Sequence, residues 1–288
     1  MSYDERIREH YRSEALSHGT VSTSTMADEF VRKKETEIII KSVSDYLSEQ
    51  PKSHNSPLPQ NREFHIVDIG CGNGTTLAAL SAALEKMESN HRIAYTGIEY
   101  TEEMYSISYK RFASQPNIQV LQEDVRLIDE TICNLADIII LQRVLINLLD
   151  AEHQRTALNR IISLLKPGGL LLAIEAFESG LDNLNAARVE FGLTQLDPAD
   201  HNLYLPDDIF DHPLLNQWPP NHELINPNIL STHYFVTRVL HASYIKSING
   251  TFIRNSHFVK FFSNALPESV GCYSPIQIVL RERVLEIV

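Results

Sequence analysis

Three glycines follow an acidic residue at alternating positions in the stretch FHIVDIGCGNGTTL, residues 64–77. Asp68 ends an apolar run, and Gly70, Gly72 and Gly74 precede a helix-forming run, which together predict a strand, a tight turn and a helix. Glycines without a Cβ let the backbone approach a ligand closely, so this turn favours cofactor binding. A dinucleotide fingerprint has its third glycine at the sixth position, which is Thr75 here, so the spacing disfavours a nicotinamide cofactor.

The acidic-x-G-x-G-x-G pattern resembles the first motif of the class I S-adenosylmethionine (SAM)-dependent methyltransferases. The stretch LKPGGLLLAIE, residues 165–175, also resembles the segment that this family carries at its fifth strand. The resemblance covers about residues 64–175 and weighs against glycines that serve packing alone. It implies methyl transfer with SAM as cofactor and S-adenosyl-L-homocysteine (SAH) as product.

Acidic residues end the next two predicted strands. Glu99 ends RIAYTGIE, where one carboxylate can accept both ribose hydroxyls, and the Tyr100 ring after it can lie against adenine. In the resembling family, the residue at the place of Asp124 accepts a hydrogen bond from the adenine amino group, and the amide after it, here of Val125, reaches a ring nitrogen. Asp68 is expected to orient the loop and the amino end of SAM. The predicted cofactor-binding set is Asp68, Gly70, Cys71, Gly72, Gly74, Glu99, Tyr100, Asp124, Val125, Gln142 and Tyr11.

Polar side chains follow a fourth apolar strand, predicted over residues 138–141. Gln142 and Arg143 stand at its carboxyl end, where ligands lie in open α/β sheets. Arg143 or Asn147 reaches the cofactor or the acceptor, or else ties loops together. Tyr11 belongs to a leading region that commonly lies over the cofactor as a lid in this family; the alternative is that it packs in the core.

Methyl transfer from a sulfonium depends mainly on positioning, because the methyl group is already activated. A neutral alcohol or amine acceptor also needs a base, and His201 and then His233 are the candidates because an imidazole titrates near neutral pH. The alternative for His201 is a loop or capping role. Arg188 and Arg238 either bind a carboxylate or phosphate as forks or are ordinary surface residues. The predicted substrate-binding set is Arg143, Arg188, Asn202, Tyr204 and Arg238.

Composition excludes several other functions. The formal net charge is -12 and Lys and Arg form no cluster, so we expect no nucleic-acid partner. The three cysteines, Cys71, Cys133 and Cys272, give neither a disulfide framework nor a zinc pattern, and no metal is expected. The first residues lack a signal-peptide core and no apolar run approaches a membrane span, so we expect a cytoplasmic protein without a membrane partner.

The resemblance implies an α/β fold: a doubly wound, mostly parallel seven-stranded sheet with an antiparallel last strand, an N-terminal helical lid and a helical insertion after the fifth strand. The predicted units are a lid over residues 1–50, a SAM-binding Rossmann-like core over 51–178, a substrate-roofing insertion over 179–270 and the last strand over 271–288. A linker rich in Pro, Ser and Asn spans about 48–63. Residues 226–233 are the candidate sixth strand.

The sequence therefore predicts a SAM-dependent methyltransferase that acts on a small-molecule acceptor, at oxygen, with a natural-product or sugar-like substrate and a role in biosynthesis. The alternatives are a small-molecule N- or carboxyl-methyltransferase and a non-catalytic SAM-binding protein. A homodimer is possible.

Overall fold

A seven-stranded sheet organises the chain in the computed structural model, which describes residues 3–21, 24, 26–49, 63–87, 92–219 and 226–284. The strands are β1 (Glu63–Ile69), β2 (Arg92–Glu99), β3 (Ile118–Gln122), β4 (Ala136–Gln142), β5 (Leu165–Ala176), β6 (Leu215–Gln217) and β7 (Ile276–Arg283). Most of the predicted linker, and with it the boundary at residue 50, lies outside the described residues.

The strand order is β3-β2-β1-β4-β5-β7-β6. β1 to β5 pair in parallel, whereas β7 runs antiparallel to both of its neighbours, β5 and β6. Six strands therefore share one direction, and the predicted mostly parallel sheet with an antiparallel last strand is confirmed.

Helices cover both sides of the sheet. They are α1 (Tyr3–His18), α2 (Glu29–Glu49), α3 (Thr75–Glu85), α4 (Glu102–Phe112), α5 (Ala151–Leu164), α6 (Glu178–Glu190), α7 (Ser231–Phe235), α8 (Ala242–Ser247) and α9 (His257–Ala265). Residues 138–141 of β4 are fully buried, as a continuous apolar run between two helical layers requires. The parallel strands end at one edge of the sheet, and the loops at that edge carry the predicted site residues.

The prediction that residues 226–233 form the sixth strand is wrong, because that strand is Leu215–Gln217. The Asn226 side chain accepts a hydrogen bond from the Asn228 amide at 2.8 Å, and the chain then enters α7. A side chain that closes a turn on its own backbone competes with strand pairing. Helix α7 begins at Ser231 and continues through a π-helical segment, Val236–His241, into α8.

A buried polar chain joins α2, α7 and α9. His233 on α7 lies 2.8 Å from the Ser263 hydroxyl through Nδ1, and its Nε2 lies 3.0 Å from Asp28 Oδ2. Asp28 Oδ1 also accepts from the Val31 amide at 3.2 Å, which caps the start of α2. Burial acts to raise the pKa of Asp28, but the bond with His233 holds it below its usual value. All three side chains are buried, so the chain fixes the insertion to the N-terminal helices.

Removing Asp28 should destabilise this junction strongly. Asp28→Ala loses a helix cap and leaves buried His233 without its acceptor, so we expect the free energy of unfolding to fall by about 2–4 kcal/mol. The measurement is urea unfolding at pH 7. Asp45→Ala is the control, since its ion pair with Lys41 on α2 is exposed and worth about 0.5 kcal/mol or less. Equal losses in the two variants would contradict the prediction.

Candidate active site

The glycine turn after β1 has a backbone that only glycine adopts without strain. Gly70, Gly72 and Gly74 have φ values of 72°, 55° and 76°, all in the left-handed region. A Cβ on Gly70 would lie 2.6 Å from Val144 Cγ2, and one on Gly74 would lie 2.6 Å from Phe112 Cε2. The turn therefore needs glycine both for its φ angles and for the side chains packed against it.

The Glu99 carboxylate at the end of β2 holds this turn. Its Oε2 accepts a hydrogen bond from the Gly72 amide at 3.0 Å, and its Oε1 accepts from the Thr101 amide and hydroxyl at 2.8 and 2.7 Å. Burial raises the pKa of Glu99, and these bonds oppose the rise because they stabilise the ionised form. Three protein donors use most of the roughly four lone-pair sites of a carboxylate, so a ligand hydroxyl must share them.

Asp124, after β3, connects the sheet edge to α1 through Arg126. Its Oδ1 accepts hydrogen bonds from the amide and Nε of Arg126, both at 2.9 Å. Arg126 also lies 3.0 Å from Asp4 and donates to the Tyr3 hydroxyl. Burial acts to raise the pKa of Asp124, but Arg126 holds it below its usual value. The start of α1 is thus bound to the part of the edge where the sequence places the adenine.

A cavity opens between the glycine turn, the ends of the strands and α1. It encloses about 970 Å³ of space, its open mouth included, which is within the range of small-molecule sites. Of the predicted site residues, the cavity is lined by Tyr11, Gly70, Cys71, Gly72, Glu99, Tyr100, Asp124, Val125, Gln142 and Arg143. Asp68 and Gly74 are buried and do not belong to its lining.

Asp68 is a buried carboxylate with unused acceptor capacity. It is 2% exposed, and its Oδ2 has no hydrogen-bond partner within the described residues. Burial raises its pKa to about 7, while the positive charge of Arg32 acts against the rise and the negative charge of Glu99 adds to it. Such a group favours a cationic or N–H donor ligand beside the turn.

A buried network behind the turn contains two residues that the sequence analysis missed, Arg32 and Glu35. Glu35 accepts hydrogen bonds from Gln142 Nε2 at 2.7 Å and from the Arg143 guanidinium. The side-chain oxygen of Gln142, Oε1, in turn accepts hydrogen bonds from Thr76 Oγ1 at 2.9 Å and from Arg32 at 3.3 Å. Burial lowers the pKa of Arg32 to about 10, which leaves it charged at neutral pH.

A sequence signal for these two residues existed. Arg32 and Glu35 are three apart on α2 and share the buried face of Ile38 and Ile39. Charged residues on an apolar helix face are rare unless they are paired or bind a ligand. The signal therefore indicated a site beneath α2.

Glu175, at the end of β5, shapes the loop that carries Arg143 and Asn147. Its carboxylate accepts hydrogen bonds from the amides of Val144 and Leu145 at 2.7 and 3.0 Å. Burial raises its pKa to about 7, against the effect of these amides. Arg143 itself has a φ of 58°, which is unusual for a residue with a side chain. The loop is thus held in a specific conformation at the cavity wall.

Helix α1 covers the cavity with polar contacts. Tyr11 accepts a hydrogen bond from Asn147 Nδ2 at 2.7 Å, and burial raises the pKa of its phenol to about 12. Arg8 donates to the Tyr100 hydroxyl at 2.9 Å and lies over the Tyr100 ring, 4.8 Å from its centroid. Asn202, from the insertion, donates to Asn147 at 3.3 Å. α1 and the insertion therefore meet at the same rim of the cavity.

Asn73, inside the glycine turn, anchors the connection between α1 and α2. Its side-chain amide donates to the carbonyls of Gly19 and Val21 at 2.9 and 3.0 Å, and its Oδ1 accepts from the Thr75 amide at 3.1 Å. Arg111 adds a bond from its Nε to the Asn73 carbonyl at 2.8 Å. The position of α1 therefore depends on the glycine turn.

The histidines proposed as bases lie away from the cavity lining. His201 stacks on His10 of α1 with ring centroids 3.7 Å apart, and burial lowers its pKa to about 4. His233 is 2% exposed, and both of its ring nitrogens are engaged in the Asp28–His233–Ser263 chain. It belongs to a separate cavity between α2 and α9.

The predicted substrate-binding residues of the insertion also lie outside that lining. Arg188 is buried, and its Nε donates to the Thr194 carbonyl at 2.8 Å. Arg238 lies on the π-helical segment with its guanidinium 5.8 Å from the Phe252 ring centroid. Tyr204 packs against the main core.

Comparison with protein families identifies one segment. Residues 67–171, from β1 to β5, match the family model described as "Methyltransferase domain". This segment contains the glycine turn, Glu99, Asp124 and Arg143. A search of curated proteins found no match.

Solved structures with a similar fold include several methyltransferases. The N-methyltransferase NodS from Bradyrhizobium japonicum WM9, in complex with SAH, is 17% identical, with 66% of this chain and 79% of that chain covered and a TM-score of 0.43. The amino pentose methyltransferase CalS10 from Micromonospora echinaspora is 19% identical, with 49% of this chain and 49% of that chain covered and a TM-score of 0.36. A SAM-dependent methyltransferase from Clostridium acetobutylicum ATCC 824 is 19% identical, with 51% of this chain and 54% of that chain covered and a TM-score of 0.37. At these scores the likenesses carry no argument about the acceptor.

The described residues offer neither a membrane-spanning helix nor a metal-binding cluster. None of the helices in the described ranges combines the length and apolar character that crossing a bilayer requires. The same ranges hold no group of three His, Cys, Asp or Glu side chains placed to share a metal ion.

Asn73→Ala should release α1 without unfolding the sheet. The variant loses the side-chain bonds to Gly19, Val21 and Ser24, so we expect trypsin to cleave after Arg12 several-fold faster, because local opening of α1 becomes easier. The measurement is limited proteolysis followed by mass spectrometry. Asn117→Ala is the control, since that side-chain amide makes an exposed 3.5 Å contact with the Ile93 carbonyl. An unchanged cleavage rate in Asn73→Ala would show that other contacts hold α1.

Proposed function

We propose that this chain, whose residues 67–171 form a class I SAM-dependent methyltransferase domain, transfers a methyl group from SAM to an oxygen atom of a small molecule. The observation that carries the proposal is the three-glycine turn, which opens into a cavity with Glu99 and Asp124 on its wall. The acidic chain and the covered cavity favour a small acceptor over a nucleic acid. A natural-product or sugar-like acceptor in a biosynthetic reaction suits such a covered cavity.

The residues of the cavity, together with the buried carboxylate of Asp68 beside the glycine turn, fit the proposed cofactor. The unused Oδ2 of Asp68 suits the amino end of SAM, and the glycine turn gives backbone access. Tyr100 and Asp124 remain the predicted contacts of the adenine. Glu99 remains the predicted contact of the ribose, whose hydroxyls would compete with the Gly72 amide for its oxygens. Bound SAM supplies an activated methyl group, and the chain's own residues orient the acceptor and exclude water.

The proposed division of labour follows the chain. Residues 1–50 act as a lid, because α1 and α2 cover the cavity and contribute Tyr11 and Arg32 to its lining. Residues 51–178 hold the cofactor, residues 179–270 roof the acceptor, and residues 271–288 complete the sheet with β7. The contact of Asn202 with Asn147 supports a role of the insertion at the cavity rim.

A second candidate is methyl transfer to a carboxylate oxygen, and the placement of His201 favours it. An alcohol acceptor needs a base, and a base is effective when its pKa lies near the working pH. Burial lowers the pKa of His201 to about 4, and its ring stacks on His10 outside the cavity lining. A carboxylate is already ionised at neutral pH and needs no base.

Calorimetric titration tests the proposed function. SAM and SAH should both bind, and NAD should not, because the turn has Thr75 where a dinucleotide fingerprint has its third glycine. Transfer of a labelled methyl group from SAM to small alcohols and carboxylates then separates the two candidates from a non-catalytic SAM-binding protein. Binding of NAD without binding of SAM would contradict the assignment.

SAM binding should release a proton from Asp68. Its pKa of about 7 leaves most of the group protonated at pH 6, and a cationic amino end favours the ionised form. If only the ionised form binds, affinity should rise about fivefold from pH 6 to pH 7. Titrations in buffers of different ionisation enthalpy measure the released proton. Asp68→Asn should bind more weakly and with no such pH dependence; a flat profile in the unaltered chain would contradict the role.

A further inference from the structure

Two guanidinium groups lie near each other in the insertion, and neither forms an ion pair within the described residues. Arg188 is 7% exposed, and its guanidinium donates to the main-chain carbonyls of Thr194 and Arg238. Burial lowers the pKa of Arg188, and the nearby charge of Arg238 lowers it further. Two cations that repel each other in a partly buried place are stabilised when an anion binds between or beside them.

The positive charge of Arg238 also acts on two phenols. Tyr204 and Tyr234 are partly buried against the core, and no hydrogen bond joins either hydroxyl to a described residue. Burial raises the pKa of both phenols, and the charge of Arg238 acts against the rise in each case. The hydroxyls therefore stay protonated at neutral pH, and they are hydrogen-bond donors available to an anion.

Local structure brings these groups to one place. Tyr234 and Arg238 are four residues apart in a continuous helical stretch, so they share a face. The stretch from Val236 to His241 is π-helical, a conformation that is rare and concentrated at functional sites. The charge of Arg238 also acts on Asp28, but the oxygens of that carboxylate are engaged by His233 and the Val31 amide.

The cluster of Arg238, Tyr204 and Tyr234 adjoins the cavity at the end of the strands. Tyr204 lies between Leu203, whose amide donates to the Ile146 carbonyl at 2.7 Å, and Leu205, whose amide donates to the Ala176 carbonyl at 2.9 Å. The first carbonyl belongs to the loop after β4 and the second to the last residue of β5. Tyr234 also interacts electrostatically with Arg143, which lines the cavity.

We propose that Arg238, together with the hydroxyls of Tyr204 and Tyr234, binds an anionic group of the methyl acceptor, either a carboxylate or a phosphate. This inference rests on the proposed function and narrows it to acceptors that carry such a group. The anion neutralises the Arg188–Arg238 pair, and the rest of the acceptor extends from the insertion toward Arg143 in the cavity.

Calorimetry on the full chain saturated with SAH tests the proposal with three matched probes: benzoate, phenyl phosphate and benzyl alcohol. We expect benzoate or phenyl phosphate to bind, and the stronger of the two identifies the anion. Benzyl alcohol should bind at least tenfold more weakly than that anion. Arg238→Gln should lower the affinity for the anion at least tenfold, because it removes a charge-assisted hydrogen bond.

Matched variants separate binding from folding. Arg254→Gln removes the same charge from an exposed loop position and should leave anion affinity unchanged. Tyr234→Phe keeps the packing of the ring and should lower the affinity for the anion several-fold. Arg238→Lys should retain part of that affinity. Equal anion affinity in the unaltered chain and Arg238→Gln, or no anion binding in the presence of bound SAH, would overturn the proposal. Failure of SAH itself to bind would instead overturn the proposed function.

Discussion

The close packing of side chains against the backbone of the turn after β1 is the constraint on which the rest of the site depends. Val144 and Phe112 fill the space that side chains at Gly70 and Gly74 would need, so the turn is closed from behind by the loop after β4 and by the end of α4. Because the turn cannot relax backwards, its amides keep fixed positions at the cavity. Hydrogen bonds of Asn73 and Glu99 then hold the connection between α1 and α2 and the start of α4 in place relative to the turn.

Buried carboxylates lie at the same edge of the sheet and on α2 beside it, and they are stabilised in different ways. Glu99 and Glu175 accept backbone amides, whereas Glu35 is paired with Arg143. Asp68 retains an oxygen without a partner in the described part of the chain. Burial of acids is costly unless cations or donors compensate, so this edge favours a positively charged ligand. A cofactor with a sulfonium and an ammonium group has the required charge.

The sequence predicted what depends on local patterns. The strand over residues 92–99 and the glycine turn could be predicted because the residue types of a short run and their spacing are properties of a few neighbouring residues. β6 was missed because its three residues are too short for a period, and only its pairing with β7 defines it. His201 and His233 were proposed from the titration range of imidazole alone. Their burial and partners, which the sequence does not contain, place one against His10 and the other between Asp28 and Ser263.

The composition of α1 has a consequence for how the protein exchanges its ligand. Of the 16 residues of this helix only Ile7 and Ala15 are buried, and its remaining hold comes from polar side-chain contacts near water. Such contacts contribute about 0–1 kcal/mol each, so the helix can detach in a local fluctuation far smaller than global unfolding. Amide hydrogens of α1 would then exchange with solvent long before those of β4. A melting temperature, which reports the sheet, is therefore nearly blind to whether the helix is seated, and stability and ligand retention can evolve separately in this fold.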